Sequence, residues 1–200
     1  MRSASASYRE WGANSLWVGD NKNRGLGIFA RSHIRIEPIA LDTNGLETFL
    51  PCKIQGSVLL LGVWTRRTDS HDFRYIGQLW KYLTLHGEAL RRERTIVVGD
   101  LNSNVIWDKR HSAASHSNVV QQLSEIGLES VYHHAHSIPQ GKEPDATFFL
   151  QRNLRKPYHI DYAFLPKDWL ATSTIEIGSH EMWLEYSDHM PVIVKIGAVP

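Results

Sequence analysis

The sequence has little cysteine and no long hydrophobic run, and both absences narrow the class of protein it can encode. A single cysteine, Cys52, excludes an internal disulfide and is compatible with a reducing compartment. No apolar stretch reaches the roughly 18 residues that a membrane helix needs. The start, MRSASASYREWG, lacks the apolar centre of a signal peptide. We therefore expect a cytoplasmic protein with no membrane partner.

An excess of charge of either sign is also missing. The chain has 22 basic and 21 acidic residues, so its net charge of +1 excludes a global attraction for nucleic acid but allows local basic patches. A length of 200 residues and an apolar fraction of 42% suit a globular protein with a substantial core. Because the chain has no internal repeat or linker-like boundary, we predict a single domain over residues 1–200.

Apolar patterning predicts many short strands and few helices. Residues 25–41 are predicted to form two strands that meet at a turn near Ser32–His33, and residues 47–65 a hairpin that turns at Gln55–Gly56. Further short strands are predicted in the segments ESVYHHAH, ATFFLQ, YHIDYAFLP, STIEIG and MPVIVKI. Most connections have hairpin length, which indicates an α/β (α+β) sandwich with largely antiparallel or mixed sheets.

Two segments have helical spacing instead. In the first, four apolar residues follow the i, i+3, i+4, i+7 pattern of one buried face: Ile76, Leu79, Trp80 and Leu83. The second covers about residues 117–126, with Gly127 as its stop signal. The strand that follows the first helix, TIVV, is predicted to be buried.

Polar side chains of the kinds used in catalysis and metal binding lie where apolar strands end. The stretch VVGDLNSN delivers Asp100 and Asn102 directly after a buried strand, and SDHMPV places Asp188 and His189 before the last one. A turn alone explains the first pair and a strand cap the second. Asp161, however, lies inside the aromatic strand HIDYAF, where a carboxylate must be paired, hydrogen-bonded or functional. Carboxylates clustered with a histidine can hold a divalent metal and polarise water.

The motifs GDLN, HIDYAF and SDHMPV, in this order and with these separations, resemble the endonuclease/exonuclease/phosphatase superfamily. The resemblance covers about residues 17–196 and includes the stretches RGLGIFAR and DATFF. It implies a four-layered α/β sandwich with two mostly antiparallel or mixed sheets. It also implies a cleavage of phosphate esters that depends on Mg²⁺ or Mn²⁺.

The resemblance implies a role for each motif residue. Asp100 would orient and deprotonate the attacking water, and Asn102 would donate to a phosphate oxygen. His189, paired with Asp161, would bind a non-bridging phosphate oxygen and stabilise developing charge. Asp188 would help to hold the metal, directly or through water. In-line attack on a phosphodiester requires such a positioned nucleophile and donor groups around the equatorial oxygens.

Two further residues are predicted to bind substrate. Thr147 sits where the family has a similar threonine. Arg66 follows a strand that should end near the site, so it would guide substrate phosphates, although a solvated surface is the ordinary setting for such an arginine. Three nearby histidines, His133, His134 and His136, invite a transition-metal site, with the last two on one face of the predicted strand. They lack the ligand set of a structural zinc site.

Two features depart from the family pattern. The family opens with a strand carrying an Asn and a second strand ending in a Glu, the principal metal ligand. The only upstream carboxylate here is Glu10, for which we favour a surface role. We therefore expect an N-terminally truncated sandwich, or a start assigned too late, with an exposed sheet edge through which a homodimer could form. The second departure is Trp64, where the family usually has a His or Tyr that touches the scissile phosphate.

The sequence therefore predicts a metal-dependent phosphodiesterase that acts as a nuclease, with nucleic acid preferred over inositol phosphate or lipid. A phosphatase or phospholipase acting on another phosphate ester is the alternative within the enzyme class. The alternative outside it is a non-catalytic remnant that binds phosphate or a protein partner. The missing glutamate and Trp64 favour this remnant, whereas the intact set of motif residues favours the enzyme.

Overall fold

The computed structural model describes residues 12–21, 24–67, 73–109 and 114–197, and Glu10 lies outside these ranges. Within them the strands are β1 (Asn14–Asn21), β2 (Arg24–Ala30), β3 (Ile36–Pro38), β4 (Phe49–Ile54), β5 (Val58–Trp64), β6 (Arg94–Asp100), β7 (Leu128–Ser130), β8 (Phe148–Phe149), β9 (Pro157–Tyr158), β10 (Asp161–Pro166), β11 (Ser173–Ile177) and β12 (Val192–Ile196). The helices are α1 (Ile76–Arg91), α2 (His116–Glu125), α3 (Val131–His136), α4 (Lys167–Leu170) and α5 (His180–Trp183). Short 3₁₀ turns cover Val105–Trp107 and Leu150–Arg152.

A mixed six-stranded sheet forms the centre of the fold. Its strand order is β3-β4-β5-β6-β10-β7, and only the β5–β6 pair is parallel. Parallel neighbours need a crossover connection, and α1 provides it between these two strands. Because β5 and β6 run in the same direction, both of their carboxyl ends reach the same edge of the sheet.

Helices cover one face of this sheet. Side chains alternate along each strand, and the helix-side residues are almost fully buried against α1 and α2: Leu59, Leu61, Val63, Val97, Tyr162 and Phe164. From the helices, Leu79, Tyr82, Leu83, Val119 and Leu123 complete this core. Burial of so much apolar surface on one face makes it the main source of stability.

Two hairpins cover the opposite face. The β11–β12 hairpin contributes Ile175 and Val194, which pack against Val98 and its neighbours on the central sheet. The β1–β2 hairpin approaches closest at Gly62, where a Cβ would meet the side chain of Ile28 at 3.4 Å. The layers of helices, central sheet and hairpins confirm the predicted α/β sandwich.

Most predicted elements are confirmed, and two are corrected. The hairpin turns at Gln55–Gly56 with positive φ at both residues, and both helices form where their spacing predicts them. The predicted strand ESVYHHAH is wrong beyond Ser130, where the chain turns into helix α3, because Ser130 hydrogen-bonds to the His133 ring one turn later. His134 and His136 therefore share no strand face.

The second correction concerns Asp161, which begins β10 instead of lying within a longer strand. No helix in the described ranges has the length and apolar character needed to cross a membrane.

Candidate active site

Strands β5 and β6 end at one edge of the central sheet, and β10 begins there. The residues of β6 and β10 at this edge are predicted catalytic residues. Trp64 ends β5 and is the parallel partner of Asp100, the last residue of β6. Asp100 is in turn the antiparallel partner of Asp161, the first residue of β10. Directly opposed residues in an antiparallel pair have Cβ atoms about 4.5–5.5 Å apart. Strand pairing alone therefore brings the two carboxylates together.

The Asp100 carboxylate is held by its neighbours on the sheet edge. Asn102 donates to it twice, from its backbone N–H and from Nδ2, both at 2.7 Å. Nδ2 also donates to the carbonyl oxygen of Thr65 at 2.9 Å, and the neighbouring Trp64 indole helps to lower the pKa of Asp100. Both amide hydrogens of Asn102 are thus engaged within the protein. In this arrangement Asn102 orients Asp100, whereas the sequence predicted that it donates to a phosphate.

Burial and the adjacent charge of Asp161 raise the pKa of Asp100 to about 7. The hydrogen bonds from Asn102 and Trp64, and the charge of His189, act in the opposite direction but are weaker. A carboxyl group with a pKa near neutrality can both accept and return a proton at ordinary pH. Asp100 therefore has the properties of a general base.

His189 and Asp161 form a hydrogen-bonded pair next to Asp100. The distances from His189 Nδ1 to the two carboxylate oxygens of Asp161 are 2.9 and 3.2 Å. Burial lowers the pKa of His189, but the hydrogen bond and charge of Asp161, together with the charges of Asp100 and Asp188, outweigh it and raise the pKa overall. The pair thus favours a cationic imidazolium whose Nε2 has no hydrogen-bond partner among the described residues.

Thr147 lies beneath this pair and is fully buried. Its hydroxyl oxygen accepts hydrogen bonds from the backbone N–H groups of Ile160 and Asp161, at 2.9 and 3.0 Å. Its carbonyl oxygen accepts from the backbone N–H of Met190 at 2.7 Å. The contacts of Thr147 are therefore internal, and they fix the segments that carry Asp161 and His189.

Arg66, the second predicted substrate ligand, is engaged by two carboxylates. Its guanidinium group forms a two-bond pair with Asp20, at 2.7 and 2.8 Å, and also contacts Glu47. These carboxylates raise the pKa of Arg66, so it stays charged. Its charge is balanced by the protein and not held open for a substrate.

A buried polar network that the sequence did not reveal supports the site from below. Asn104 Nδ2 donates to the carbonyl oxygen of His159, to the Tyr162 hydroxyl and to Glu143, at 3.1, 3.0 and 3.2 Å. Asn104 follows Asn102 by two residues, and His159 precedes Asp161 by two. Asn104 therefore ties together the two segments that carry the candidate catalytic groups.

Glu143 anchors this network. Its carboxylate lies 2.9 Å from His133 Nε2 and also accepts from the backbone N–H of Gly141. Burial raises its pKa, but these hydrogen bonds and that from Asn104 outweigh burial and lower the pKa to about 2. Glu143 is therefore ionised throughout the physiological range. The contact between His133 and Glu143 spans ten positions and those of Asn104 span 39 to 58, without a recognisable motif, so only the folded chain shows them.

Two hollows flank the site and give it access to solvent. One, of about 330 Å³, is lined by Gly99, Asp161, Met190 and Val192 among others. The other, of about 410 Å³, is lined by Asn102, Ser103, Trp107 and Asp108 among others. Asp161 thus lines the first hollow, and Asn102 lines the second.

The donor set fits a divalent metal ion. Among the described residues, Asp100, Asp161 and His189 offer ligand atoms that all lie within 4.8 Å of one another. Hard cations prefer carboxylate oxygens, and a cation would relieve the repulsion between Asp100 and Asp161. These two carboxylates would therefore hold it. Asp188, the predicted ligand, lies outside this group but near enough for its charge to raise the pKa of His189.

Two buried histidines near the network make the fold sensitive to acid. His116 and His159 are almost fully buried, and burial lowers the pKa of each. In each ring the second nitrogen, Nδ1 of His116 and Nε2 of His159, is buried without a partner. Protonation would therefore create a buried cation with an unsatisfied donor.

We expect His116 and His159 to contribute a part of the free energy of unfolding that is fully present above pH 6.5 and is lost at lower pH. The unfolded chain takes up protons near the ordinary pKa of 6.5, whereas the folded protein resists them until lower pH. Urea unfolding between pH 8 and pH 5 measures this slope. The variant His116→Gln should have a shallower slope, and substitution of the exposed His33 should not change it. A slope unchanged in His116→Gln would contradict the assignment.

Comparison with known proteins identifies the fold. No family model and no curated protein matches the sequence. Among solved structures, the chain is similar to the 3′-5′ exonuclease NExo from Neisseria meningitidis, with a TM-score of 0.69 and 21% identity over 98% of this chain and 83% of that one. A 3′ phosphatase NExo variant from Neisseria bound to product DNA hairpin gives 0.70 and 19%, over 99% and 84%. An AP endonuclease from Archaeoglobus fulgidus gives 0.64 and 15%, over 92% and 79%. The chain therefore has the fold of the endonuclease/exonuclease/phosphatase superfamily.

Proposed function

We propose that the protein is a metal-dependent phosphodiesterase that hydrolyses nucleic acid. The observation that carries the proposal is the juxtaposition of Asp100, Asp161 and His189 at one sheet edge, within 4.8 Å of one another. A carboxylate beside a histidine–carboxylate pair can position the attacking water and stabilise the charge that develops when a phosphate ester is hydrolysed. The activities of the similar structures, an exonuclease, a 3′ phosphatase and an AP endonuclease, support nucleic acid as the substrate.

In the proposed reaction, Asp100 accepts the proton of the attacking water. The two hydrogen bonds from Asn102 fix the orientation of the Asp100 carboxylate, so the water is held in line with the bond that breaks. Asp161 holds the His189 ring by its Nδ1, which leaves Nε2 to contact a non-bridging phosphate oxygen. The raised pKa of His189 supplies positive charge where negative charge develops.

A divalent metal held by Asp100 and Asp161 would polarise the phosphoryl oxygen and lower the pKa of nearby water. Mg²⁺ and Mn²⁺ both suit carboxylate ligands. The protein residues would then orient the water, hold the phosphate and receive the proton.

Metal dependence and substrate are tested together. We expect cleavage of supercoiled plasmid, of an abasic-site duplex, or removal of a 3′ phosphate from an oligonucleotide, with Mg²⁺ or Mn²⁺. We expect no reaction with EDTA, because the two carboxylates then repel each other and lack their cation. Gel electrophoresis separates the products, so internal nicking, end trimming and phosphate release are distinguished.

The variant that tests the site is His189→Asn, whose side-chain amide can donate a hydrogen bond but cannot become a cation. We expect it to lower cleavage about 100-fold or more, in line with the loss of a group that stabilises a transition-state oxyanion. Equal cleavage with Mg²⁺ and with EDTA would exclude the metal. Inactivity of a folded sample on all three substrates and on a simple phosphodiester would favour the non-catalytic alternative.

A further inference from the structure

An indole ring separates two arginines from the candidate base. The guanidinium groups of Arg24 and Arg66 lie over the ring of Trp64, with Cζ 5.6 and 5.7 Å from its centroid. Trp64 is also the partner of Asp100 in the parallel pair of β5 and β6. Arginine stacked on an aromatic face keeps its in-plane N–H donors available at the ring edge. The two cations therefore lie against the residue that pairs with Asp100 in the sheet.

The two arginines differ in what they already contact. Arg66 is mostly buried and is held by Asp20 and Glu47, so it acts as a fixed support for the ring. Arg24 begins β2 and is exposed. The charge of Arg24 helps to lower the pKa of Asp20, but among the described residues no carboxylate lies within ion-pair distance of the Arg24 guanidinium. Of the two, Arg24 is the cation that has donors to offer an incoming anion.

We propose that Arg24, stacked on Trp64, binds a phosphate that flanks the cleaved one in the same strand. The substrate class is then an oligonucleotide, recognised through at least two phosphates, and not an ester with a single phosphate. This inference rests on the proposed function, because it takes the position of the reacting phosphate from Asp100 and His189.

The charges of the protein favour this assignment. The net charge is only +1, so the chain attracts nucleic acid through local groups and not through a general field. A guanidinium group can bind two phosphate oxygens at once, which fixes direction as well as distance. Trp64 contacts Arg24 through its ring and pairs with Asp100 in the sheet. A nucleic-acid strand bound by Arg24 is therefore held at a fixed position relative to Asp100.

The first test measures equilibrium binding without cleavage. Fluorescence anisotropy with a labelled single-stranded decanucleotide in EDTA, over a range of KCl concentrations, gives the Kd and its salt dependence. For Arg24→Met we expect Kd to rise about tenfold at low salt and the slope of log K against log salt to become shallower by about 0.7. Arg35→Met is the matched control, because Arg35 is exposed and lies at the opposite end of the strands.

The second test locates the contact on the strand. One phosphate next to the cleaved bond is replaced by an uncharged methylphosphonate, on either side in turn. On one side the wild type should lose about the same factor in kcat/KM as Arg24→Met does on the normal strand. Arg24→Met should lose nothing further on that substrate, since the two changes remove the same contact.

The outcomes separate this inference from the proposed function. Hydrolysis of bis(4-nitrophenyl) phosphate by the wild type tests the function alone, because that ester has one phosphate. Binding that weakens in Arg24→Met supports the flanking contact even if no ester is hydrolysed. Absence of oligonucleotide binding, an unchanged salt slope, or additive losses with methylphosphonate on both sides would overturn it.

Discussion

Replacing Asp100 with asparagine should lower the rate of phosphodiester cleavage by about 10²–10⁴-fold, the contribution typical of a general base. The substitution keeps the shape of the side chain, but its NH2 group replaces one of the two oxygens that accept from Asn102, and the amide cannot take a proton. Single-turnover cleavage at saturating metal measures the effect on kcat. Asp168→Asn, on the exposed first turn of α4, is the matched control and should retain the wild-type rate.

The same variant should be more stable than the wild type in EDTA at pH 8. The raised pKa of Asp100 means that its charged form is disfavoured in the folded protein, by burial and by Asp161. Above pH 7 Asp100 is ionised in the folded protein and destabilises it, whereas below its unfolded pKa of 3.8 it is protonated and does not. We therefore expect a higher Tm for Asp100→Asn at pH 8, with the difference shrinking as the pH falls. An equal or lower Tm at pH 8, or a retained cleavage rate, would contradict the assignment.

Local sequence signals predicted the parts of the fold that local chemistry decides. The turn at Gln55–Gly56 and the helix stop at Gly127 follow from residues that tolerate positive φ. Helix α1 was also predictable, because its four turns repeat one apolar face. Helix α3, with only six residues, is too short to show a period, and its histidines imitate an alternating strand.

The candidate site likewise has contacts that the sequence predicted and contacts that it did not. The motifs predicted that Asp100, Asp161 and His189 would meet, and strand pairing brings them together. The partners of Arg66 could not be predicted, because Asp20 lies 46 residues away on a hairpin from a different sheet. The contacts of Asn104 were equally hidden, since they link segments up to 58 residues apart through hydrogen bonds that leave no pattern in the sequence.

The role of Gly99 also became visible only in the folded chain. The sequence GDLN gives glycine as an ordinary strand-exit residue. In the structure its φ is +146°, and a Cβ on it would lie 1.8 Å from the carbonyl oxygen of Val63 on the neighbouring strand. Close approach of the two backbones is what places Asp100 beside the end of β5.

Gly99→Ala should therefore destabilise the protein by about 3 kcal/mol or more, because the obstacle is backbone and cannot rotate away. Cleavage should fall with it, since separating β5 from β6 moves Asp100 away from Trp64. The matched control is Gly127→Ala, where φ is +86° but nothing lies within 4 Å of the added Cβ. That variant bears only the conformational strain, about 1–2 kcal/mol.

Urea unfolding of both variants gives the comparison. The difference between the two losses reports the steric contact with Val63 together with the higher cost of a φ of +146° than of +86° for alanine. Similar losses for Gly99→Ala and Gly127→Ala would mean that the strands separate without penalty, and the sheet edge would then not hold the catalytic carboxylate in place. A loss at Gly99 far above that at Gly127 would mean that the geometry of the active site is built into the spacing of β5 and β6.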